Sequence, residues 1–329
     1  MHKSLIVLCL SLIILSVGYL LLPYELDTGV GRHIFWQIKL PILLTAILTG
    51  SALSSSSAVL QVVLRNPLAD PGIIGIASGA SLMAAIYFAF VAVTGFADTL
   101  FTSAELLAVA LPILCFIGAM LSSSLIFLFA RRIGNNPAAV ILVGIAVSTL
   151  FGALIAWLYL VLPPMQIQNL TFWLMGSLRN TTWLTLFVAL PLIGCSFVLL
   201  LVRNKQLNWL FLGEQAAQLR GLDVRKFQSG TLLLVAILIG TSVAIAGSIA
   251  FIGLIVPHLL RLILGNDNRV IVPASGMAGA IVLVSCAIAN EHIFATPVPL
   301  SMITASIGAP VFIYLLLKHS GVTLWQNLK

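Results

Sequence analysis

Residues 203–228 read RNKQLNWLFLGEQAAQLRGLDVRKFQ, the one long charged stretch of the chain. The stretch contains seven charged residues, and Asn, Gln and Trp make up much of the remainder. Six apolar segments precede it and four follow it. A chain with this arrangement is expected to form apolar helices that carry one polar loop for contact with another molecule.

Composition assigns the chain to a broad class. Of its 329 residues, 60% are hydrophobic and 8% are charged, and the mean hydropathy is +1.16. Soluble domains have about 25% charged residues, so this is an all-α polytopic membrane protein, expected to be a single domain over residues 1–329. The apolar run from Ser4 to Leu22 is longer than the core of a signal peptide and lacks a cleavage site, which favours a first transmembrane helix.

Apolar runs between charges and Gly or Pro breaks predict ten spans of the length that a bilayer requires. They lie at about 4–22, 40–64, 72–95, 106–130, 138–162, 184–202, 229–247, 249–264, 271–289 and 300–317. The eighth is short and follows a break at Gly247 and Ser248. A further interfacial helix is expected at 169–180, because Trp173 and Trp183 flank it.

The distribution of Lys and Arg predicts the orientation. With the N-terminus inside, thirteen of these residues fall on the cytoplasmic side and three fall outside, namely Arg32, Lys39 and Arg179. Both termini and the loop 203–228 are then cytoplasmic. The net charge of +7 follows from this topology and requires no nucleic acid partner.

Two rival classes can be weighed from the residues. A secondary transporter or channel usually carries an ionisable group within a span, and no Lys, Arg, Asp or Glu lies near the centre of a predicted span. A membrane scaffold without transport activity would have no evident use for the elaborate Pro- and Gly-rich turns described below. Transport driven by an external energy source is therefore favoured.

The sequence contains no catalytic, metal or cofactor motif. None of the six lysines follows a glycine, so the phosphate-binding pattern G-x-x-x-x-G-K-[ST] is absent. The four cysteines lie in apolar segments without C-x-x-C spacing and are expected to be buried apolar side chains. If ATP drives this protein, a separate subunit hydrolyses it.

Three motifs resemble one family over nearly the whole chain. They are KLP at 39–41 with LRNPLADPGIIG at 64–75 and SGA at 78–80, LGEQAA at 212–217 with RGL at 220–222, and AGSIAFIGLIVPH at 246–258 with Arg261 and GAPVF at 308–312. This pattern is similar to the permeases of ABC importers for iron–siderophores, haem and vitamin B12. The resemblance implies the type II ABC importer permease fold in a bacterial inner membrane. It also implies a homodimer with its pathway on the two-fold axis, two cytoplasmic ATPase subunits and a periplasmic substrate-binding protein.

The resemblance implies that residues 212–222 form a helix that couples the permease to the ATPase. Glu214 near the start suits the helix dipole, and Gly221 occupies a natural C-cap position. A solvated amphipathic loop is the alternative. The coupling residues implied are Leu212, Gly213, Glu214, Ala216, Ala217, Leu219, Arg220, Gly221 and Leu222.

The Pro- and Gly-rich segment at 66–75 is expected to stop one helix and start another, because proline disfavours helix continuation. It is at least a tight cytoplasmic turn. By resemblance, Asn66, Pro67 and Leu68 form a cytoplasmic gate near the dimer axis. Asn136 and Pro137 match a second constriction of that gate less closely.

Docking of the binding protein is where this sequence departs from the family. Members often carry R-L-P-R at the outer start of span two and another arginine near the end of span nine. Here these positions hold Lys39-Leu40-Pro41-Ile42 and Asn290, and lysine lacks the bidentate geometry of arginine. Docking is therefore expected to be weaker or to rely on other contacts, for which Arg32, Arg179, Glu291 and His292 are the candidates.

The cargo implied by the resemblance is an iron chelate, either a ferric siderophore or haem, with cobalamin or an oxyanion such as molybdate as the alternatives. The small and polar residues at 54–57 and 75–81 suit close helix packing, and they could instead line a wet pathway.

Overall fold

The computed structural model describes residues 2–21, 29–94, 104–134, 137–179 and 181–326, and these ranges are almost entirely helical. The first helices are α1 (His2–Leu21), α2 (Gly29–Ile34), α3 (Leu40–Val63), α4 (Pro71–Ile74) and α5 (Ile76–Thr94). They are followed by α6 (Ala104–Ile133), α7 (Pro137–Tyr159), α8 (Pro164–Leu174), α9 (Trp183–Val202) and α10 (Asn204–Phe211). The last are α11 (Glu214–Leu219), α12 (Val224–Ala246), α13 (Ile252–Leu264), α14 (Asn268–His292) and α15 (Leu300–Gln326).

The helices agree with the predicted spans. Within the described ranges, seven helices are long and apolar enough to cross a membrane, and three shorter apolar helices lie at Ile76–Ala92, Ile252–Leu264 and Leu300–Leu315. Each of the ten predicted spans coincides with one of these helices. The break expected at Gly247 is also present, since α12 ends at Ala246 and Gly247 has φ 71°.

Two predicted spans or helices have displaced bounds, and the helix expected at 212–222 is shorter, Glu214–Leu219. The second span begins earlier, because α2 continues through a π-helical turn (Phe35–Lys39) into α3 as one helix of 35 residues, Gly29–Val63. The interfacial helix lies at Pro164–Leu174 and not at 169–180. Pro164 starts it at a position where no N–H is needed, and Gly176 with φ 76° turns the chain away after it.

Glycine pairs set the separation of the central helices. A Cβ atom on Gly50 of α3 would collide with the carbonyl of Gly279 on α14, and one on Gly79 of α5 would collide with the carbonyl of Gly118 on α6. Close approach of this kind replaces the hydrophobic effect as the source of helix association in lipid. The side chains of Ser54–Ser57 are fully buried within the subunit, which supports packing over a wet pathway for this run.

Backbone N–H and C=O groups near three helix ends form hydrogen bonds with one another where regular helical structure stops. The amide of Ser177 donates to the carbonyl of Ala246 at 2.8 Å, and the amide of Leu300 donates to the carbonyl of Gly176 at 3.0 Å. Non-helical backbone is tolerated inside a membrane protein only when its polar groups find such partners. The break between α12 and α13 is therefore fixed by α15 and by the chain after α8.

We expect Gly79→Ala to lower the free energy of unfolding by about 1–3 kcal/mol, because the added methyl group overpacks the contact with Gly118. The thermal midpoint in detergent measures this effect. Gly194→Ala on α9 is the matched control, since no atom lies within 4 Å of its Cβ position. Equal midpoints for the two variants would contradict the role of the glycine contact.

Candidate functional site

The polar stretch at 203–228 folds as two short helices, α10 and α11, between α9 and α12. Ala217 of α11 is fully buried, whereas Leu219 is 90% exposed and Leu212 is 63% exposed. Leu212 and Leu219 are thus large apolar side chains exposed on the most polar segment of the chain, which suits contact with a protein partner.

The end of α11 is a Schellman motif, which confirms the predicted C-cap position of Gly221. The amide of Gly221 donates to the carbonyl of Gln218 at 2.8 Å, and the amide of Leu222 donates to that of Ala217 at 3.1 Å. Gly221 has φ 81°, and Gly213 before the helix has φ 120°. Glycines at both ends allow the sharp turns that expose α11.

Glu214, the first residue of α11, connects this helix to the turn that follows α3. Its Oε1 lies 3.3 Å from Nη2 of Arg65 and accepts a hydrogen bond from Gln228 at 3.4 Å. Arg65 directly precedes the segment expected to form the gate. Arg65 is a functional candidate that the sequence did not predict, and the complementary charges of Arg65 and Glu214 are its one signal there.

An amide network holds α10 against the start of α14. Asn208 Nδ2 donates to Asp267 Oδ1 at 2.6 Å, and Asn208 Oδ1 accepts from the backbone and side-chain nitrogens of Asn268, each at 2.8 Å. Burial raises the pKa of Asp267, but the hydrogen bonds from Asn208 and the Arg269 amide outweigh it, so the pKa is lowered overall. The carboxylate thus stays ionised and caps α14.

Arg261 of α13 joins four helices near the same face. Its Nη2 donates to the carbonyl of Ala58 at 3.0 Å and to Oδ1 of Asn268 at 3.1 Å, and its Nε donates to Gln61 at 3.3 Å. The guanidinium also lies 5.8 Å from the ring centroid of Phe211 on α10. The C-terminal end of α3 is therefore fixed to α13, α14 and α10 through one side chain.

The Pro- and Gly-rich segment forms the expected turn between helices. Asn66 Oδ1 accepts from the amide of Leu68 at 2.9 Å, and Asp70 Oδ1 accepts from the amide of Gly72 at 2.8 Å, which caps α4. Leu68 is 37% exposed and Pro67 is also exposed. The side chains expected at the gate therefore point away from the subunit core.

Of the second expected gate segment, Pro137 is the first residue of α7, whereas Asn136 lies outside the described residues. Helix α7 approaches α4 closely, since a Cβ on Gly144 would collide with the carbonyl of Ile74. Helix α4, which follows the turn Asn66–Leu68, is thus packed against the helix that carries Pro137.

Lys39, expected at the outer face, lies inside the long helix Gly29–Val63 and is 3% exposed. Its Nζ lies 3.4 Å from Glu291 Oε1, 3.4 Å from the carbonyl of Tyr19 and 5.3 Å from the centroid of the Tyr19 ring. In this conformation Lys39 and Glu291 neutralise each other within the subunit, so neither charge is presented freely to a docking protein.

The other residues expected at the outer face differ in exposure. Both amide atoms of Asn290 bond to the backbone of Val298, at 2.7 and 2.9 Å, so its side chain braces the loop before α15. Arg32, Arg179 and His292 are exposed. A cavity of about 890 Å³ lies between the outer helix ends; its lining includes Lys39, Glu291, Asn290, Arg179 and Trp173.

Comparison with known proteins identifies the family. The model of the FecCD transport family matches residues 4–318. The chain belongs to the FecCD transport family. It is a permease of the ABC importer class, a transport component that resides in the bacterial inner membrane with several spans. Nothing in the described ranges groups three or more His, Cys, Asp or Glu side chains as a metal site would.

Individual relatives support the FecCD assignment. The chain is 35% identical over 317 residues to the vitamin B12 import system permease protein BtuC of Vibrio cholerae, covering 95% of this chain and 91% of the relative. It is 38% identical over 289 residues to the hemin transport system permease protein HmuU of Yersinia pestis, covering 87% and 84%.

A solved structure, an inward-facing conformation of an ABC transporter assigned to the metal-chelate type, matches with a TM-score of 0.85 at 30% identity. The match covers 97% of this chain and 100% of that one. The predicted family and the type II ABC importer permease fold are confirmed. As a FecCD permease, the chain is expected to work with ATPase and binding-protein partners.

We expect Gly221→Ala to speed amide exchange in residues 214–222 about fivefold, because alanine pays about 1 kcal/mol in the left-handed conformation. Hydrogen-exchange mass spectrometry of the purified permease measures this rate. Gly18→Ala is the control, since both Cβ positions are free of neighbours and only Gly221 has positive φ. Unchanged exchange would contradict the motif's role in ordering α11.

We expect Lys39→Met to destabilise the permease by up to about 3 kcal/mol, because it leaves the Glu291 carboxylate without its cation. Glu291→Met should cost at least as much, because the Lys39 ammonium that it leaves is the more deeply buried of the two, 3% against 19% exposed. The double variant should recover much of the loss. Thermal unfolding in detergent of the parent, the two single variants and the double variant gives the coupling energy of the pair. Additive losses would show that the two side chains do not act as a pair.

Proposed function

We propose that this permease imports an iron chelate, either a ferric siderophore or haem, as a homodimer with the pathway on its two-fold axis. A separate ATPase would supply energy, and a periplasmic binding protein would deliver the cargo. The hemin permease relative and the metal-chelate structural relative support this class of substrate. Both termini and the loop 203–228 would be cytoplasmic, consistent with the distribution of Lys and Arg.

The observation that carries the proposal is a pair of exposed leucines, Leu212 just before α11 and Leu219 at its end, in a chain that lacks a phosphate-binding loop. We propose that α11 docks into the ATPase through Leu212 and Leu219, and that Gly213 and Gly221 set its orientation. Glu214, Ala216, Ala217, Arg220 and Leu222 complete the coupling segment. Buried Ala217 would pack α11 against the rest of the permease, and exposed Arg220 would lie at the edge of the contact with the ATPase.

The turn Asn66–Leu68 is proposed as the cytoplasmic gate, with Asn136 and Pro137 as a second constriction. The exposed Pro67 and Leu68 suit a closure that requires contact with a second copy. At the outer face, Arg32 and Arg179 are exposed and could meet acidic groups on the binding protein. Lys39, Asn290 and Glu291 would contribute there by shaping the surface through their internal contacts.

Cobalamin is the second candidate, because BtuC relatives cover 95% of the chain at 35% identity. Uptake by proteoliposomes that contain the permease, its cognate ATPase and its binding protein distinguishes the cargoes. Labelled ferric siderophores, haemin and cobalamin are compared with and without ATP. We expect ATP-dependent uptake of an iron chelate; uptake of cobalamin alone would favour the alternative, and transport without the ATPase would contradict the proposal.

Docking through α11 predicts that Leu219→Gln weakens copurification of the ATPase at least about tenfold, the effect of losing one well-packed apolar anchor. The side chain is 90% exposed, so the stability of the isolated permease should not change. Arg225→Gln, exposed on the same segment, is the control. Equal ATPase recovery from both variants would contradict docking through α11.

A further inference from the structure

We propose that the Arg65–Glu214 ion pair transmits the movement of α11 to the turn Asn66–Leu68, which makes Arg65 a positioning residue of the transport cycle. The inference rests on the proposed function, in which α11 contacts the ATPase and the turn forms the gate. It adds the connection between them. Arg65 Nη2 and Glu214 Oε1 are 3.3 Å apart, and Arg65 is the residue directly before the turn.

The backbone at Arg65 supports a role for its side chain. Arg65 has φ 47° and ends α3 in a Schellman motif: its amide donates to the carbonyl of Val62 at 3.2 Å, and that of Asn66 donates to Gln61 at 3.1 Å. Glycine is the usual residue at this position, as Gly221 is in the same motif after α11. An arginine costs about 1–2 kcal/mol there, so the chain accepts strain to place a cation at the turn.

Both ends of the pair are attached to ordered elements. Glu214 is the first residue of α11 and also accepts from Gln228 of α12. On the other side, Arg261 fixes the last turns of α3 through Ala58 and Gln61. A displacement of α11 therefore pulls on the short segment after α3, whereas α3 itself is held by α13 and α14.

Because the Arg65–Glu214 pair is partly exposed, its effect on transport can be separated from its effect on the stability of the fold. The side chains of Arg65 and Glu214 are 45% and 38% exposed, a setting in which ion pairs add little to folding. Removing the Arg65 side chain should therefore leave the fold intact. Arg65→Gly is a sharp test, since it deletes the cation and also relieves the positive-φ strain.

The experiment measures transported chelate per ATP hydrolysed in proteoliposomes that contain the complete importer. We expect Arg65→Gly to keep or raise the thermal midpoint and to keep the ATPase bound. Its transport per ATP should fall about two- to fivefold, the range that a partly exposed ion pair allows. Arg65→Lys should stay within about twofold of the parent, because it retains the charge. The double variant Arg65→Gly with Glu214→Gln should transport as much chelate per ATP as Arg65→Gly alone, because both changes break the same pair.

Lys226→Ala is the matched control, since it breaks the exposed Lys226–Asp223 pair at 3.4 Å on the same cytoplasmic segment without touching the turn. Unchanged transport per ATP in Arg65→Gly would overturn the inference, as would equal loss in the control. Loss of the ATPase from Arg65→Gly would also overturn it, because Arg65 would then be a docking residue. Failure of the parent complex to transport with its ATPase would instead count against the proposed function.

Discussion

Contacts between backbones hold this permease together. In hydrocarbon, apolar side chains gain little by leaving lipid for protein, so helices associate through close approach and satisfied polar groups. Gly50 against Gly279 and Gly79 against Gly118 bring helix axes near enough for dispersion contacts along their length. The same constraint explains the cluster of helix ends near Ala246, where carbonyl and amide groups of different elements pair with each other.

Around the loop 203–228, polar interactions organise the structure. Asn208 and Asp267 fasten α10 to α14, and Arg261 fastens α3 to both. Against this fixed frame, α11 is attached by its buried Ala217 and by the carboxylate of Glu214. Helices α3, α10 and α14 are therefore held by more contacts between side chains than α11 is. This difference is what a mobile α11 on a rigid support would require.

The fold was largely predictable, because ten apolar runs and the Gly and Pro breaks between them determine helix number and ends. The turn after α3 and the C-cap at Gly221 were also predictable, since their residues act through local backbone geometry. Contacts between distant segments were not: hydropathy carries no information on whether Lys39 meets Glu291 or solvent. The role of Arg65 was not predictable for the same reason, because its left-handed backbone conformation and its ion pair with Glu214 depend on the three-dimensional structure.

The second membrane span is much longer than a bilayer requires. Residues 29–63 form one continuous helix of 35 residues, which at about 1.5 Å per residue is some 52 Å long, well beyond the roughly 30 Å of the hydrocarbon core. Gly50, where α3 meets Gly279 of α14, lies within this helix, and Arg261 holds its last turns at Ala58 and Gln61. One continuous helix therefore joins the end near Arg32 to the turn that follows Arg65. The π-helical turn at Phe35–Lys39 is the place where this helix departs from regular α-helical geometry.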